Sequence, residues 1–382
     1  MKVAFVRSEF DPYGGAELFT QRLIEALTQK GVEVHVFARK WKCESDRTIY
    51  LHRIRGPGSP SFLRHAVFVY FVKRELRKHS FDLIQSNERT LSQDVYRAGD
   101  GVHARWLDIR CARLGFWRKL SIKLNPFHRY LLWLEKKMFE DGGLKAVIVN
   151  SNMVKQEILS RFAISDEKIH IIYNGVDLAR FHPRLKAIEG RHLRRQNGVG
   201  DNDLLILFVG SGFGRKGVMP LLEAVAKSGG GKRLWIVGKG DVKRYQRRAR
   251  ELGIQEFITF CGPQANTPAF YAAADVFALP TMYDPFPSVI LEAMASGLPV
   301  ITTTHSGAAE IITPGKEGYV VSAPEAVEEI AFYLDRLADR ECRSAMGVQA
   351  RLLAEHFPME KTVEEILQLY RDEIDKGIPC HG

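Results

Sequence analysis

The sequence predicts an α/β chain in which two parallel sheets, each covered by helices, form two domains. Short apolar runs rich in β-branched residues alternate with helical stretches along the whole chain, and this alternation is typical of parallel sheets. At 382 residues the chain is also too long for one hydrophobic core. This length favours two domains of roughly 150 to 200 residues each.

The strand candidates fall into two series. The first series comprises 2–6, 33–37, 83–85 and 145–150, and the second comprises 204–209, 233–237, 258–261, 276–279, 299–302 and 319–321. A polar, turn-rich stretch at 174–183 separates them, and we place the boundary there, near residue 180. The expected domains are therefore 1–180 and 181–358. The remaining segment, 359–382, contains a helix with one apolar stripe, which we expect to pack back on the first domain.

Composition indicates a globular protein of a reducing compartment. The chain is 45% hydrophobic and 26% charged, the balance of an ordinary folded protein. Its five cysteines are scattered and never form a C-x-x-C pair, which suggests neither a disulfide framework nor a zinc site. The longest apolar run, 66–72, is far shorter than the ~20 residues of a transmembrane helix. The N-terminus predicts a strand and not a signal peptide, so we expect a cytoplasmic protein.

A glycine-rich loop follows the first strand of the second series. Residues 210–217 are Gly-Ser-Gly-Phe-Gly-Arg-Lys-Gly, which matches the pattern G-x-G-x-x-G of dinucleotide sites. A nicotinamide cofactor also needs an acidic residue after the next strand, whereas that strand is followed by Gly238 and Lys239. Because Arg215 and Lys216 add two cations to a loop whose amides already favour anions, the pattern favours a diphosphate bound without a metal. The alternative is a tight turn with solvated charges.

An acidic pair lies beyond the end of the strand 276–279. Asp284 stands in the loop, and Glu292 lies about one turn into the helix that we expect from about Ser288. The two carboxylates could accept hydrogen bonds from different hydroxyls of one ligand, Asp284 from a sugar ring and Glu292 from a ribose. The helix N-terminus would face the same ligand, and the residues at that end are Phe286, Pro287, Ser288 and Val289. Alternatively, Asp284 caps the helix and Glu292 is an ordinary surface residue.

Four segments together resemble one large enzyme family. They are Gly14-Gly15-Ala16-Glu17, Tyr173-Asn-Gly-Val-Asp177, Gly210 with Arg215-Lys216-Gly217, and the block from Asp284 to Pro299 that contains Glu292-Ala293 and Ser296-Gly-Leu-Pro. With these segments the chain resembles the retaining glycosyltransferases of family 4 over nearly its whole length. The resemblance implies the GT-B fold, in which two Rossmann-like domains face a central cleft.

The resemblance also implies roles for residues of the second domain. Arg215 and Lys216 would hold the diphosphate of a nucleotide sugar and stabilise charge on the departing nucleotide, as fixed donors do in electrostatic catalysis. Glu292 would bind the nucleotide ribose, and Gly210 and Gly238 would line the donor site. The first acidic residue of the family's Glu-x7-Glu pattern is Asp284 here. Its shorter side chain bears on which sugar is bound.

For the first domain, the resemblance implies that the loop with Gly14 and Gly15 closes over the donor. It also implies a histidine beside the reacting sugar. His103 is the candidate, with Asp100 as an alternative polar contact and a structural or surface imidazole as the competing interpretation. We expect no metal, because the Asp-x-Asp sequence at 201–203 precedes a strand. It therefore lies at the amino end of its sheet, opposite the ligand edge, and predicts a turn.

Residues 104–140 are basic and aromatic. They hold nine Lys/Arg and three Asp/Glu, interleaved with three Trp, three Phe and one Tyr. Residues 1–180 hold 31 of the 55 Lys/Arg but only 20 of the 45 Asp/Glu. This pattern suits an anionic membrane surface, so we expect peripheral association with the inner face of the cell membrane. The alternative is an ordinary inter-helix core with a solvated cationic face. We expect no nucleic acid as a partner, because no nucleic-acid motif accompanies the charge.

These features predict a metal-independent glycosyltransferase that needs no cofactor beyond its nucleotide-sugar donor, and the family resemblance implies that it retains the configuration of the sugar. It would move a hexose from a UDP-sugar such as UDP-glucose to a hydroxyl of a membrane-associated glycan. The opening 2–17 is similar in pattern to lipopolysaccharide core glucosyltransferases of the family, which makes a lipopolysaccharide core the expected acceptor. Two alternatives stay open: a nucleotide-sugar epimerase or hydrolase of the same fold, and a non-catalytic nucleotide-sugar-binding protein at the membrane.

Overall fold

The computed structural model describes residues 1–10, 15–41, 49–56, 61–141 and 143–376. The chain forms two compact units. The first comprises Met1–Tyr173 and the chain from Thr362 onward, and the second comprises Asn174–Lys361. The second unit begins before residue 180 because Val176 pairs with the end of that unit. Its amide donates to the Phe357 carbonyl at 2.9 Å, and its carbonyl accepts from the Met359 amide at 3.1 Å.

A seven-stranded sheet forms the centre of the first unit. Its strands are β1 (Lys2–Val6), β3 (Glu33–Ala38), β5 (Ile49–Arg53), β6 (Leu83–Ser86), β7 (Val95–Arg97), β8 (Ala146–Val149) and β9 (Ile169–Ile171), while β2 (Glu9–Phe10) and β4 (Lys40–Trp41) form a separate pair. The order is β5-β3-β1-β6-β7-β8-β9, and every pair is parallel. The chain winds outward from β1 in one direction and from β6 in the other, so a topological switch lies between these two strands.

Helices of the first unit pack on both sides of this sheet. They are α1 (Gly15–Gln29), α2 (Ser61–Leu76), α3 (His103–Ala112), α4 (Phe116–Leu124), α5 (Pro126–Glu140) and α6 (Asn152–Leu159). The apolar face of α2 packs through Phe68 and Val72 against Phe37. The helices α5 and α6 bury Phe139 and Ile158 in a separate cluster with the strand β8. Both clusters lie on the sheet face that Val6 and Val147 share, whereas Arg97 on the opposite face packs over the Phe19 ring of α1, so the sheet is the middle layer of this unit.

The second unit repeats the plan with six parallel strands. They are β10 (Leu204–Val209), β11 (Lys232–Val237), β12 (Ile258–Gly262), β13 (Val276–Leu279), β14 (Val300–Thr303) and β15 (Gly318–Val321). The helices are α7 (Glu189–Gln196), α8 (Phe213–Lys216), α9 (Val218–Lys227), α10 (Val242–Glu251), α11 (Thr267–Ala273), α12 (Ser288–Ala295), α13 (Val327–Arg336) and α14 (Arg340–Ala354). The strand order is β12-β11-β10-β13-β14-β15, which places a topological switch between β10 and β13. Two doubly wound parallel sheets confirm the predicted fold class.

The last helix, α15 (Met359–Asp375), leaves the second unit and packs on the first. The Tyr370 hydroxyl donates to Gln85 Oε1 at the end of β6, and Thr362 Oγ1 donates to the Tyr173 carbonyl at 3.0 Å. Its apolar stripe, including Val363 and Ile366, is buried. The first unit is thus completed by residues from both ends of the sequence.

Each strand candidate of the sequence corresponds to a strand, but β2, β4, β5, β7 and β9 were not predicted. The strands β2 and β4 have only two residues each. The strands β7 and β9 have three residues each, too few to show a period. The strand β5 lies at the sheet edge, and none of its residues, Ile-Tyr-Leu-His-Arg, is fully buried. Its pairing with β3 therefore decides its conformation more than its own composition does.

No helix in the described part of the chain is long and apolar enough to cross a membrane. Cys111, Cys261 and Cys342 are free thiols, while Cys43 and Cys380 lie outside the described residues. The Asp-x-Asp sequence lies in the turn before β10, as its position predicted. Asp203 accepts there from the Gly200 amide at 2.9 Å and from Arg233 Nε at 2.6 Å.

A buried ion pair fastens α7 to the second sheet. Arg194 NH1 donates to Asp275 Oδ2 at 2.7 Å, and its NH2 donates to the carbonyls of Gly200 and Asp203 at 2.7 and 2.8 Å. The same carboxylate oxygen accepts from the Leu205 amide at 3.0 Å. Asp275 directly precedes β13 and Leu205 lies in β10, so the pair holds together the two strands of the switch.

We expect Arg194→Ala to lower the free energy of unfolding by about 3 to 5 kcal/mol, because it removes the buried cation from Asp275 and leaves only the exposed Lys186, 3.2 Å away, as its partner. Urea unfolding measures the change. Arg191→Ala on the exposed face of α7 is the matched control and should stay within about 0.5 kcal/mol of the parent protein. Equal effects of the two substitutions would contradict this role for the pair.

Candidate functional site

The two loops that flank the β10/β13 switch meet at the carboxyl edge of the second sheet. The first, 210–217, leaves β10, and the second, 280–288, leaves β13. Ligands of doubly wound sheets bind in this position. The structure therefore brings the glycine loop and the acidic block, which are far apart in the sequence, to one edge.

Glycines allow the backbones in this region to approach closely. Gly217 has φ +84°, and a Cβ atom there would lie 1.8 Å from the Pro280 carbonyl oxygen. Gly238 has φ +134°, and a Cβ atom there would lie 2.1 Å from the Gly210 carbonyl oxygen. A residue with a side chain would strain the backbone and push the loops apart at both positions. The predicted site residues Gly210 and Gly238 are thus in direct contact.

Two cations and one carboxylate form the centre of this edge. Lys216 Nζ is ion-paired with Asp284 Oδ2, and Arg215 NH1 lies 3.6 Å from the same oxygen. The side chains of Lys216 and Asp284 are only 12% and 9% exposed, whereas that of Arg215 is 37% exposed. Burial lowers the pKa of Lys216, while the Asp284 carboxylate acts in the opposite direction. The cluster carries a net positive charge, which suits an anionic ligand.

The loop backbones hold these side chains in place. Arg215 NH1 donates to the Tyr283 carbonyl at 2.8 Å, and the Arg215 carbonyl accepts from the Met282 amide at 2.8 Å. The Asp284 amide donates to the His305 carbonyl at 3.1 Å, and the Asp284 carbonyl accepts from the Gly307 amide at 2.8 Å. Asp284 therefore pairs with the loop after β14 and does not cap a helix, since the N-cap of α12 is Pro287.

The helix α12 begins at Ser288, as predicted. Asn174 Nδ2 donates to the Phe286 carbonyl at 3.0 Å and to Ser288 Oγ at 3.1 Å, so the family-like segment at 173–177 fixes this helix start. Phe286 and Pro287 are buried, whereas Ser288 and Val289 are half-buried. The N-terminal turn of α12 is therefore held firmly beside the Asp284 loop.

Glu292 is half-buried on α12 and accepts a hydrogen bond from the Tyr271 hydroxyl at 2.9 Å. Burial, reinforced by the Glu292 carboxylate, raises the pKa of Tyr271 well above its usual value, so Tyr271 remains a donor at neutral pH. One carboxylate oxygen is thereby oriented by the protein. Glu292 is not the ordinary surface residue of the alternative interpretation.

His103 lies in the first unit, where it begins α3. Its amide and that of Ala104 donate to the two oxygens of the buried Glu135 carboxylate at 2.8 and 3.1 Å. Arg89 Nε donates to Glu135 Oε1 at 2.9 Å. Burial lowers the pKa of the His103 imidazole to about 3, with contributions from Arg89 and His128. The ring is therefore neutral at pH 7, and its Nε2 lies 3.2 Å from His128 Nδ1.

The carboxyl ends of β1 and β6 also gather charged residues. Arg7 NH2 donates to Glu17 Oε1 at 2.7 Å, and Ser8 Oγ donates to Glu88 Oε1 at 2.7 Å. Burial opposes protonation of Arg7, but Asp100, Glu17 and Glu88 raise its pKa overall. Asp100 itself is exposed. Anionic side chains thus surround Arg7 at the switch of the first sheet.

Two further predicted positions of the first domain are Gly14 and Gly15. Gly14 is outside the described residues, and Gly15 is the first residue of α1. Arg7, Arg89 and Glu135, which shape this region, were not predicted from the sequence. Arg7 directly follows β1 and Arg89 lies in the loop after β6, which is a usable signal. The pairing of Arg89 with Glu135 is hidden because they are 46 positions apart in the sequence.

The segment 104–140 forms α3, α4 and α5. Its apolar residues are divided between core and surface: Leu131, Leu134 and Met138 on α5 are buried, whereas on α4 Ile122 is buried but most other side chains are exposed. Phe116 is 70%, Trp117 78% and Leu124 61% exposed, and Trp133 on α5 is 52% exposed. The core interpretation therefore accounts for α5 but leaves the aromatic face of α4 unexplained.

Two family models match this chain, one in each half of the sequence. The model Glycosyltransferase Family 4 matches residues 13–180, and the model Glycosyl transferases group 1 matches residues 191–353. Spore coat protein SA of Bacillus subtilis is 30% identical over 413 residues, covering 97% of this chain and 99% of that protein. Lipopolysaccharide glucosyltransferase WaaG of Escherichia coli is 25% identical over 360 residues, covering 93% and 94%.

Solved structures show the same architecture over nearly the whole chain. The crystal structure of WaaG matches with a TM-score of 0.87 at 24% identity, covering 96% of this chain and 99% of that one. HepE of Anabaena, solved in complex with UDP-glucose, matches with a TM-score of 0.76 at 20% identity, covering 97% and 100%. The fold is GT-B, and the chain is a glycosyltransferase that belongs to glycosyltransferase family 4.

Proposed function

We propose that this chain transfers a hexose from a UDP-sugar, such as UDP-glucose, to a hydroxyl of a membrane-associated glycan, with retention of configuration and without a metal. The observation that carries the proposal is the cluster of Arg215, Lys216 and Asp284 at the switch of the second sheet. Glu292 lies on the helix that follows the Asp284 loop. The acceptor that we propose is a lipopolysaccharide core.

The charges of the cluster support a nucleoside diphosphate as the leaving group. Two cations face one carboxylate, so a net positive charge remains for the diphosphate. Lys216 and Asp284 are largely shielded from water, whereas Arg215 is partly exposed and accessible to a ligand. Fixed donors in such a site stabilise charge that develops as the glycosidic bond to the diphosphate breaks. We assign this role to Arg215 and Lys216, and it requires no divalent cation. The complex of HepE with UDP-glucose supports a UDP-sugar as donor.

We assign two carboxylates to different parts of the nucleotide-sugar donor. Glu292 has one oxygen oriented by Tyr271, and we assign it to the ribose hydroxyls. Asp284, with its backbone fixed on both sides, is assigned to the transferred sugar. Gly210, Gly238 and the start of α12 line the diphosphate. The acceptor hydroxyl then attacks the face of the sugar from which the nucleotide departs, which retains the configuration.

His103 is assigned to a hydroxyl of the transferred sugar, with Asp100 as the alternative contact. Because the imidazole is neutral at pH 7, it can donate or accept a hydrogen bond but contributes no charge. The Glu135 carboxylate fixes the backbone from which this ring projects. The loop with Gly14 and Gly15 is proposed to cover the donor.

The proposed acceptor rests on two observations. WaaG, which the chain resembles over its whole length, is a lipopolysaccharide glucosyltransferase. The exposed rings of Phe116 and Trp117 adjoin the exposed cations Arg118 and Lys123 on α4. Such a face suits an anionic membrane surface. We therefore place the enzyme in the cytoplasm, peripherally on the inner face of the cell membrane.

Lys216→Ala and Arg215→Ala should each lower turnover roughly 10²-fold or more, because each removes a donor that stabilises the departing diphosphate. The assay measures UDP released from UDP-glucose in the presence of lipopolysaccharide that ends at the inner-core heptose. Lys243→Ala, on the exposed face of α10, is the matched control and should leave turnover unchanged. Near-normal turnover of both loop variants would overturn the diphosphate assignment.

The same assay separates the alternatives. Consumption of UDP-glucose at the same rate without any acceptor would indicate a hydrolase or epimerase. Binding of UDP-glucose without turnover would indicate a non-catalytic binding protein. Dependence of UDP release on the acceptor supports transfer.

Neutralising Arg118, Lys119 and Lys123 on α4 should weaken flotation of the protein with anionic vesicles at low salt, because each cation near the surface is worth about 1 kcal/mol. Phosphatidylglycerol vesicles are the probe, and added salt should weaken binding of the parent protein as well. A control variant removes Lys243, Arg244 and Arg247 on α10, which lowers the net charge equally. The membrane assignment fails if the two triple variants float alike.

A further inference from the structure

Three metal-binding side chains meet at the edge of the first sheet, apart from the proposed donor site. His52 lies on the edge strand β5, while Glu75 and His79 lie near the end of α2. One ligand atom from each lies within 4.8 Å of the others. His52 and Glu75 are half-buried, and His79 is exposed. Two imidazoles and a carboxylate that converge in this way are a ligand set typical of Zn²⁺, with a further position left for water.

A hydrogen-bonded chain fixes the ring of His52. His35 Nε2 lies 2.9 Å from Glu33 Oε1, and His35 Nδ1 lies 2.8 Å from His52 Nε2. A carboxylate only accepts, so His35 carries a proton on Nε2, and when the ring holds only this proton its Nδ1 accepts from His52 Nε2. The Nδ1 lone pair of His52 is then the one able to bind a metal. Zinc-binding histidines typically have such an outer partner, which orients the ring and sets its tautomer.

The packing around His52 adds to this preorganisation. Its ring stacks on Phe37 with centroids 4.3 Å apart.

One nearby cation competes for the carboxylate. Lys78 Nζ lies 2.7 Å from Glu75 Oε2, and its side chain is 57% exposed. An exposed pair three residues apart contributes little to stability, so a divalent cation can displace Lys78 from Glu75. Lys78 thus lowers the affinity of the cluster for a divalent cation but does not prevent binding.

We propose that His52, Glu75 and His79 form a zinc-class metal site that joins the edge strand β5 to the end of α2. The scattered cysteines suggested no zinc site in the sequence, and the ligands here are indeed of another type. The site would stabilise the first unit and is separate from the transfer reaction proposed above.

Zinc binding to the untagged full chain tests the proposal by competition with a chromophoric chelator. We expect one tight equivalent, with affinity lowered tenfold or more by His79→Gln and by Glu75→Gln, and about tenfold by Glu33→Ala through the hydrogen-bonded chain. His356→Gln, an exposed histidine of the second unit, is the control and should bind as the parent does. Absence of a tight equivalent, or equal affinity in all variants, would overturn the site.

Two further readouts distinguish this site from adventitious binding. Lys78→Gln should bind zinc several-fold more tightly, because it frees Glu75, whereas a surface histidine elsewhere would be indifferent to it. Bound Co²⁺ should show d–d bands without a thiolate charge-transfer band, and Zn²⁺ should raise the Tm of the parent protein but not that of His79→Gln. A thiolate band, or unchanged affinity in Lys78→Gln, contradicts the assignment.

Discussion

The ion pair between Lys216 and Asp284 joins the two loops that leave β10 and β13, where the winding of the second sheet reverses. A cation with a largely buried side chain needs such a partner, since an unpaired buried charge is costly. The close contact between Gly217 and Pro280 keeps the loops together on the backbone side. The proposed donor site therefore depends on this pair in two ways. It sets the distance between the loops, and it leaves Arg215 as the more exposed cation.

Cations are also paired with carboxylates at the switch point of the first sheet, although the residues differ from those of the second. In the first unit, Glu88 and Arg89 follow β6, and Arg7 follows β1. Arg7 is surrounded by Asp100, Glu17 and Glu88, whereas the second unit places two cations around one carboxylate. This difference in charge agrees with a division in which the second unit holds the anionic donor. In the first unit, burial and the nearby Arg89 and His128 lower the pKa of His103, so its ring is neutral at pH 7.

The sequence predicted the fold class and the main strands well, because apolar runs of four to six residues report burial directly. It also located the glycine loop and α12, whose signals are local. It could not show that Asp284 pairs with Lys216, 68 residues away, or that Tyr271 orients Glu292. The pair of Arg89 and Glu135 and the cluster around His52 depend on strand order and helix packing. Those contacts arise only when β5 pairs with β3 and when α5 packs beside α3.

The departure of Asp284 from the family's usual glutamate now has a structural context. Its carboxylate is engaged by Lys216 and approached by Arg215, and its backbone is fixed by His305 and Gly307. The position of this shorter side chain is therefore set by its surroundings on three sides. Sugar recognition in this chain would depend on the whole cluster and not on the length of one side chain.

A thermal-shift panel of nucleotide sugars tests the central claim, that the second unit binds a UDP-sugar, most directly. At a concentration 100 times its dissociation constant, a specific ligand adds about 2.7 kcal/mol to the free energy of unfolding. We expect UDP-glucose or a related UDP-hexose to raise the Tm of the parent protein, and the shift to shrink in Glu292→Gln. NAD should produce no shift. Stabilisation by NAD alone, or by no UDP-sugar in the panel, would contradict the account.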